Sequence, residues 1–132
     1  MRDVIEEILY EEYTRKSSDA EDRQMLSIPA QKEELDSVTK RERIKVLNIL
    51  EESKTAKKPG RPLFNQMVDR IEKGEINGIL VWHPNRLSRN PIDSAKIITL
   101  MDDGKLKVVK TPSYTFRNTP FDKFMLNFQF SQ

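Results

Sequence analysis

The sequence lacks cysteine altogether and contains one histidine among its 132 residues. The absence of cysteine excludes disulfides and thiolate metal sites, and it is typical of a protein that works in a reducing cytoplasm. A single histidine also excludes a metal site built from several histidines, so an all-carboxylate site is the one kind that remains. These counts leave little room for metal chemistry.

Long apolar runs and glycine are also scarce. No stretch of about 18 apolar residues is present, which is the length that a membrane-spanning helix requires. The N-terminal segment is acidic and has no apolar core of the kind found in signal peptides. Four glycines occur in the chain, and no glycine-rich loop follows the first predicted strand. That absence disfavours a nucleotide- or phosphate-binding regulator of the doubly wound type.

Charge is abundant and unevenly placed. Charged residues make up 33% of the chain and hydrophobic residues 36%, a composition typical of one soluble globular domain with its own core. Residues 1–52 have a net charge of −5 and residues 53–132 a net charge of +7. The basic half indicates an anionic partner, nucleic acid first, although an uneven solvated surface accounts for charge alone equally well.

Apolar periodicity and helix-start signals predict an alternation of strands and helices. The apolar run Ile79–Trp82 is typical of a central strand covered on both faces. The polar segment 51–60 has three lysines and no apolar anchor, which predicts a mobile loop. The alternation predicts a three-layer α/β fold, a mostly parallel sheet of four to five strands flanked by helices. The predicted strands cover residues 8–16, 44–50, 76–82, 106–110 and 114–116, and the predicted helices cover residues 27–40, 62–74, 90–103 and the residues from 119 onward.

Basic and hydroxyl side chains follow the predicted strands. Arg15 and Ser17 close the first strand and should lie on one side of it, because strand side chains alternate. Arg86 and Arg89 follow the third strand and would share a side if they formed a helical turn. Arg61 precedes the second predicted helix. Since the carboxyl ends of parallel strands meet at one rim, these four arginines are expected to converge near Ser17.

Several arginines around a serine hydroxyl suit phosphoryl transfer. A guanidinium is a planar fork that fits phosphate oxygens and stays charged. A cluster of them would stabilise a pentacovalent phosphoryl transition state and help to ionise a serine without a histidine base. Each arginine alone is more often a solvated surface residue, and Ser17–Ser18 alone is more often a turn or a helix cap. Ser18 is the rival nucleophile, and the i, i+2 relation to Arg15 favours Ser17.

Four short motifs occur in one order along the chain: YTRKSS from residue 13, EDRQMLSIPAQ from residue 21, GRP from residue 60 and VWHPNRLSRN from residue 81. Together they resemble the serine recombinase family, the resolvases and DNA invertases. The form SS-x-x-EDRQ-x-x-SI-x-x-Q is most similar to the large serine recombinases. The resemblance covers nearly the whole chain, from about Ile8 to the last predicted helix.

The resemblance implies a site and a reaction. Ser17 corresponds to the nucleophile that attacks a DNA backbone phosphate, forming a covalent phosphoserine link and freeing a sugar hydroxyl. The positions that match the family's other site residues are Arg15, Arg61, Arg86, Arg89 and Gln31. The family uses no metal and no cofactor. The implied function is site-specific DNA recombination, with DNA of a chromosome or mobile element as the partner, in the cytoplasm of a prokaryotic cell.

Asn85 departs from the family pattern, which usually has aspartate immediately before the first arginine of the RLSR segment. An amide can orient Arg86 by hydrogen bonding, but it carries no charge and takes no proton. The departure leaves open whether the site is slowed. It also supports an alternative, a non-catalytic oligomerisation module with the same fold. His83 is interpreted as loop surface. Three nearby acids are left without a role: Asp19, Glu21 and Asp22.

The last predicted helix, from Thr119, has a heavy apolar stripe made of Phe121, Phe124, Met125 and Phe128. The stripe packs either on the sheet or on a partner helix, and further apolar residues beside it favour a partner and a longer protein. The resemblance implies the start of the long helix through which dimers and a synaptic tetramer form. We therefore expect a catalytic domain at 1–118, the oligomerisation helix from 119–132, and a C-terminal DNA-binding region outside this chain. Without that region the isolated domain should not recombine DNA.

Overall fold

A five-stranded sheet with helices on both faces forms the frame of the protein in a computed structural model, which describes residues 7–132. The strand order is β2-β1-β3-β4-β5, in which β5 is antiparallel to β4 and the other neighbours are parallel. The strands are β1 Leu9–Arg15, β2 Lys45–Glu52, β3 Gly78–Val81, β4 Val108–Lys110 and β5 Thr115–Arg117. The helices are α1 Ile28–Glu42, α2 Pro62–Glu72, α3 Pro84–Leu87, α4 Pro91–Asp102 and α5 Pro120–Phe130. The predicted mostly parallel α/β fold is confirmed.

The sheet separates two hydrophobic cores. On one face, Tyr13 packs with Phe64 of α2 and with apolar residues of α4 and α5. On the other face, Tyr10 packs with Leu35 and Val38 of α1. Both faces of β1 are therefore buried, because successive strand residues point to opposite sides.

The prediction that the third strand is central is confirmed. β3 lies between β1 and β4, and all four of its residues are buried. The second strand is an edge strand, and its Leu47 and Ile49 are exposed. A run of apolar residues in the sequence therefore does not show whether a strand lies at the centre or at the edge of the sheet.

Side-chain caps begin three helices where the sequence predicts them. Ser27 Oγ accepts from Ala30 N at 3.2 Å, and Asn90 Oδ1 accepts from Asp93 N at 2.8 Å. Thr119 caps α5 in the same way. These caps satisfy backbone N–H groups that have no partner within the helix.

The expectation that residues 51–60 have no apolar anchor is wrong. Strand β2 continues to Glu52, and Ala56 is fully buried. The Ala56 carbonyl accepts from Arg89 N and Asn90 Nδ2, both at 3.0 Å. The loop is thereby joined to the start of α4.

Helix α5 turns the apolar stripe outward. Leu126 and Phe130 are buried in the core that contains Tyr13. The phenylalanines of the stripe are exposed, by 66% at Phe121, 68% at Phe124 and 53% at Phe128. The three phenylalanines of the stripe thus face away from the sheet, whereas Met125 is half-buried and packs against the core that contains Tyr13. Among residues 7–132, no helix is long and apolar enough to cross a membrane.

Candidate active site

Three segments meet at the rim formed by the carboxyl ends of the parallel strands. Arg15, the last residue of β1, joins them through one buried guanidinium. Its Nε donates to the Arg86 carbonyl at 2.9 Å and its Nη2 to the Asn85 carbonyl at 2.8 Å, both in the segment after β3. Its Nη1 also lies 3.3 Å from the carbonyl of Lys54, which follows β2.

Asp22 lies at the centre of this rim, in a single 3₁₀ turn at Ala20–Asp22. Its Oδ2 accepts from Ser17 Oγ at 2.9 Å, from Ser17 N at 2.9 Å and from Arg15 Nη1 at 3.0 Å. Its Oδ1 accepts from Arg86 Nη2 at 2.8 Å. One carboxylate therefore gathers the serine hydroxyl and two arginines, and it is 1% exposed.

The charges around Asp22 change its acidity and that of Arg15. Burial alone raises the pKa of Asp22, but hydrogen bonds from Arg86 and Ser17 and the charge of Arg15 hold it well below its usual range. Burial and the neighbouring charge of Arg86 lower the pKa of Arg15 to about 10, and Asp22 opposes this shift. Asp22 is consequently a poor base, and Arg15 is a better proton donor than an ordinary arginine.

Gln31 fixes the end of β1 from helix α1. Its Nε2 donates to the Arg15 carbonyl at 2.9 Å and to the Leu26 carbonyl at 3.0 Å, and its Oε1 accepts from Arg15 N at 3.3 Å. The side chain is fully buried. It holds the backbone that carries Arg15.

Asn85 orients Arg86. Its Oδ1 accepts from Arg86 Nε at 2.9 Å, while Arg86 Nη1 donates to the Arg15 carbonyl at 3.1 Å. The interpretation of His83 as loop surface is wrong. His83 is half-buried and caps α3, because its Nδ1 accepts from Asn85 N at 3.1 Å. Burial lowers the pKa of His83, which keeps the imidazole neutral for this role.

Arg61 lies deeper, in a second ion pair. Its Nη2 is 3.2 Å from Asp93 Oδ2, and its Nη1 donates to the Tyr13 hydroxyl at 3.1 Å. Its guanidinium lies over the Phe64 ring at 4.0 Å. The Tyr13 hydroxyl donates in turn to Glu52 at 2.8 Å. Within residues 7–132 no hydrogen bond connects Arg61 with Ser17. Arg61 therefore supports the rim from its buried side and does not contact the hydroxyl through a hydrogen bond.

Arg89 is set apart from the other arginines. Helix α3 ends at Leu87, and Ser88 is extended, with φ −156° and ψ 149°. The helical turn that would bring Arg86 and Arg89 to one side is therefore absent from this segment. Arg89 is half-buried and lines a groove with Asn127 and Phe130 of α5.

Reasoning from sequence missed two acids that organise the arginines, Asp22 and Asp93. Asp22 lies among the three acids left without a role, five residues after Ser17, and its spacing alone does not show which of them turns inward. In the segment Asn90–Asp93 the sequence marks Asp93 only as an acid in the first turn of a helix. In the structure it also pairs with Arg61.

Comparisons with known proteins identify the family and the fold. Residues 12–131 match the family model described as "Resolvase, N terminal domain". The N-terminal catalytic domain of TP901-1 integrase has 18% identity and a TM-score of 0.73, covering 92% of this chain and 90% of that one. A resolvase family site-specific recombinase from Streptococcus pneumoniae has 20% identity and a TM-score of 0.68, covering 91% and 83%. The C-terminal catalytic domain of ISC1926 TnpA, an IS607-like serine recombinase, has 17% identity and a TM-score of 0.63, covering 79% and 69%.

No curated protein matches the chain. The structural neighbours share too little sequence to establish more than the fold. The family model spans nearly all of the chain and includes the Ser17 rim. The chain therefore belongs to the resolvase N-terminal domain family and is a serine recombinase catalytic domain.

Proposed function

We propose that this domain cuts and rejoins DNA with Ser17 as the nucleophile. The observation that carries the proposal is that Ser17 Oγ and the guanidiniums of Arg15 and Arg86 bind the same carboxylate, Asp22. A hydroxyl and two guanidiniums directed at one anionic group form the arrangement that attack on a phosphodiester requires.

The covalent step exchanges one phosphoester bond for another. Ser17 Oγ attacks the phosphorus and releases its proton to solvent water, and the bond from phosphorus to a sugar oxygen breaks. The sugar oxygen takes a proton and leaves as a hydroxyl, while the DNA strand stays linked to Ser17. A sugar hydroxyl of a new strand then reverses the step. The number of phosphoester bonds is unchanged, so no high-energy cofactor is needed.

Arg15 and Arg86 bind the non-bridging phosphate oxygens in this proposal. Arg15 also protonates the leaving sugar oxygen, because burial and the Arg86 charge lower its pKa to about 10. Arg61 supports the Arg86 segment from the core side, where its Nη1 donates to the Arg86 carbonyl at 3.5 Å, and Arg89 binds DNA at the edge of the site. Gln31 and Asn85 position Arg15 and Arg86 through the contacts described above.

The assignment to a subfamily follows from the spacing of the sequence motifs. We propose a large serine recombinase that acts as a dimer on DNA and as a synaptic tetramer. Helix α5 is the start of the interface helix, since its three exposed phenylalanines lie on one stripe. In this proposal residues 1–118 form the catalytic unit, and DNA sequence is recognised by a region outside this chain.

The test is to trap the recombinase on its site DNA and map the covalent adduct by mass spectrometry of the digested complex. We expect the phosphopeptide on Ser17, loss of the adduct in Ser17→Ala, and its retention in the matched variant Ser18→Ala. An adduct that survives Ser17→Ala would disprove the assignment. If no variant and no wild-type protein forms an adduct on synapsed DNA, the domain is an oligomerisation module instead.

A further inference from the structure

The ligands of Asp22 are the groups that a DNA phosphate would need. Among the side chains that the structure describes, the donors to the Asp22 carboxylate belong to Ser17, Arg15 and Arg86. A carboxylate and a phosphodiester both carry one negative charge, and both present paired oxygens that guanidiniums bind. Two such anions cannot share these donors, because the site is closed around Asp22 and the anions repel each other.

The turn that carries Asp22 has few other anchors. Its backbone hydrogen bonds are local, from Asp22 N to the Asp19 carbonyl at 3.0 Å and from Met25 N to the Asp22 carbonyl at 3.1 Å. Ala20, Arg23 and the following Gln24 are exposed. Neither Ala20 nor Asp22 of this turn belongs to either hydrophobic core. The turn can therefore move without opening the packed sheet, provided that another anion replaces the carboxylate.

We propose that Asp22 is an internal substitute for the scissile phosphate. In the absence of DNA it holds Ser17, Arg15 and Arg86 together, and it withdraws from the two guanidiniums when a DNA phosphate binds. Asp22 is thus a positioning residue that also blocks the site. This inference rests on the proposed function of the Ser17 site, and it adds a competition between Asp22 and the substrate.

The experiment compares the thermal unfolding of the wild-type chain and Asp22→Ala with and without inorganic phosphate, at ionic strength matched with chloride. Removal of Asp22 leaves two buried guanidiniums without their anion, and we expect the Tm to fall by about 10 °C. Phosphate at about one hundred times its dissociation constant should restore most of that loss by binding the folded state. The wild-type Tm should change by less than about 2 °C, since Asp22 already occupies the site.

A second variant and a direct readout keep the test decisive. Asp22→Asn keeps the side-chain shape, so it serves where the alanine variant does not fold, and it should show the same phosphate dependence. In NMR spectra the Nε–H signals of Arg15 and Arg86 should shift with phosphate in the variants and stay fixed in the wild type. Arg70, which pairs with Glu11 elsewhere, serves as the internal reference. A purely structural role for Asp22 would not be rescued by an anion.

The matched control is Asp36→Ala, which removes the same charge from an exposed carboxylate that pairs with Lys40. It should gain no more from phosphate than the wild type does. The inference is overturned if neither Asp22 variant gains more stability from phosphate than this control. Its failure is distinguishable from that of the proposed function, because the Ser17 adduct is measured separately on DNA. An adduct without phosphate rescue rejects the role of Asp22 alone, and rescue without an adduct rejects the recombinase chemistry alone.

Discussion

At the scale of single residues, Asn85 keeps the acceptor that Arg86 needs. Its Oδ1 binds Arg86 Nε at 2.9 Å, and the negative charge that an aspartate would add comes from Asp22 on the other side of the same guanidinium. The amide is therefore compatible with an ordered Arg86. Compared with the aspartate that is usual in the family, Asn85 lacks a second carboxylate beside Arg86, whose guanidinium is already paired with Asp22.

We predict that Asn85→Asp changes the rate of adduct formation by less than about threefold, because Arg86 already has an acceptor at Nε and its charged partner during the reaction is the phosphate itself. Asn85→Leu leaves that buried Nε without an acceptor and should slow the reaction by about 10- to 100-fold. Single-turnover kinetics on trapped DNA measure both rates. A large gain in Asn85→Asp would instead mean that the natural asparagine limits the site.

A pH dependence of stability is predicted from Glu12, a buried carboxyl in β1. Burial raises the pKa of Glu12 to about 7 from a usual 4.5, although Lys32 opposes the shift. Between these two values the folded state holds the proton more tightly than the unfolded chain does, so stability falls as pH rises. Glu12→Gln should raise the free energy of unfolding by about 2–3 kcal/mol at pH 8 and by little at pH 4.

Urea denaturation at the two pH values measures this difference. Glu33→Gln, which alters an exposed carboxyl on α1, is the matched control and should follow the wild type at both. If Glu12→Gln also parallels the wild type from pH 4 to pH 8, burial does not perturb this carboxyl as described.

Sequence reasoning placed Ser17 beside Arg15 because both lie at the end of one strand, whereas Gln31, which lies on α1, was indicated by the resemblance alone. It did not reach the pairs Asp22–Arg86 and Arg61–Asp93, whose partners are far apart in the chain and meet only when the loops fold over the rim. Three acids follow Ser17, and the 3₁₀ turn decides which one points inward. Spacing cannot supply that choice, because it depends on which donors the fold brings near.

At the scale of elements, caps and proline positions predict where helices begin, because these signals act within one turn. They do not show which face of α5 is buried, since apolar residues occur on both of its sides. The structure buries Leu126 and Phe130 and leaves the phenylalanine stripe exposed. Packing against α3, α4 and β5 decides the orientation of the helix.

We predict that Phe124→Glu weakens self-association without weakening the fold. The side chain is 68% exposed, so the free energy of unfolding should change by about 0.5 kcal/mol or less. Leu126→Ala, on the buried side of the same helix, should cost about 2–5 kcal/mol. Sedimentation over a concentration series measures association, and urea denaturation measures stability.

The matched control for association is Leu47→Glu, which places the same charge on the exposed edge strand β2. It should leave self-association as it is in the wild type. Equal weakening by both variants would show that added charge, and not the α5 stripe, governs the assembly.

At the scale of the whole molecule, positive charge is concentrated where the site opens. The loop after β2 carries Lys54, Lys57 and Lys58, all exposed, and its Lys54 carbonyl binds Arg15 at the rim. The acidic residues of the first 52 positions partly offset this charge, and the two most central acids, Asp22 and Asp93, are already paired with arginines. The loop after β2 therefore gives the rim a small basic edge that DNA can contact.

We expect residues 1–132 alone to bind duplex DNA weakly and without sequence preference, with a dissociation constant of roughly 10⁻⁴ to 10⁻⁶ M at physiological salt. Two or three phosphate contacts predict a loss of affinity of about 10- to 50-fold between 50 and 200 mM salt.

Replacing the three loop lysines with glutamine should flatten this salt dependence. The triple variant of Lys40, Lys45 and Lys105, which are exposed elsewhere, removes equal charge and should keep more of the salt dependence. Fluorescence polarisation with unrelated duplexes measures each slope, and tight binding to one sequence would show that this domain itself reads DNA.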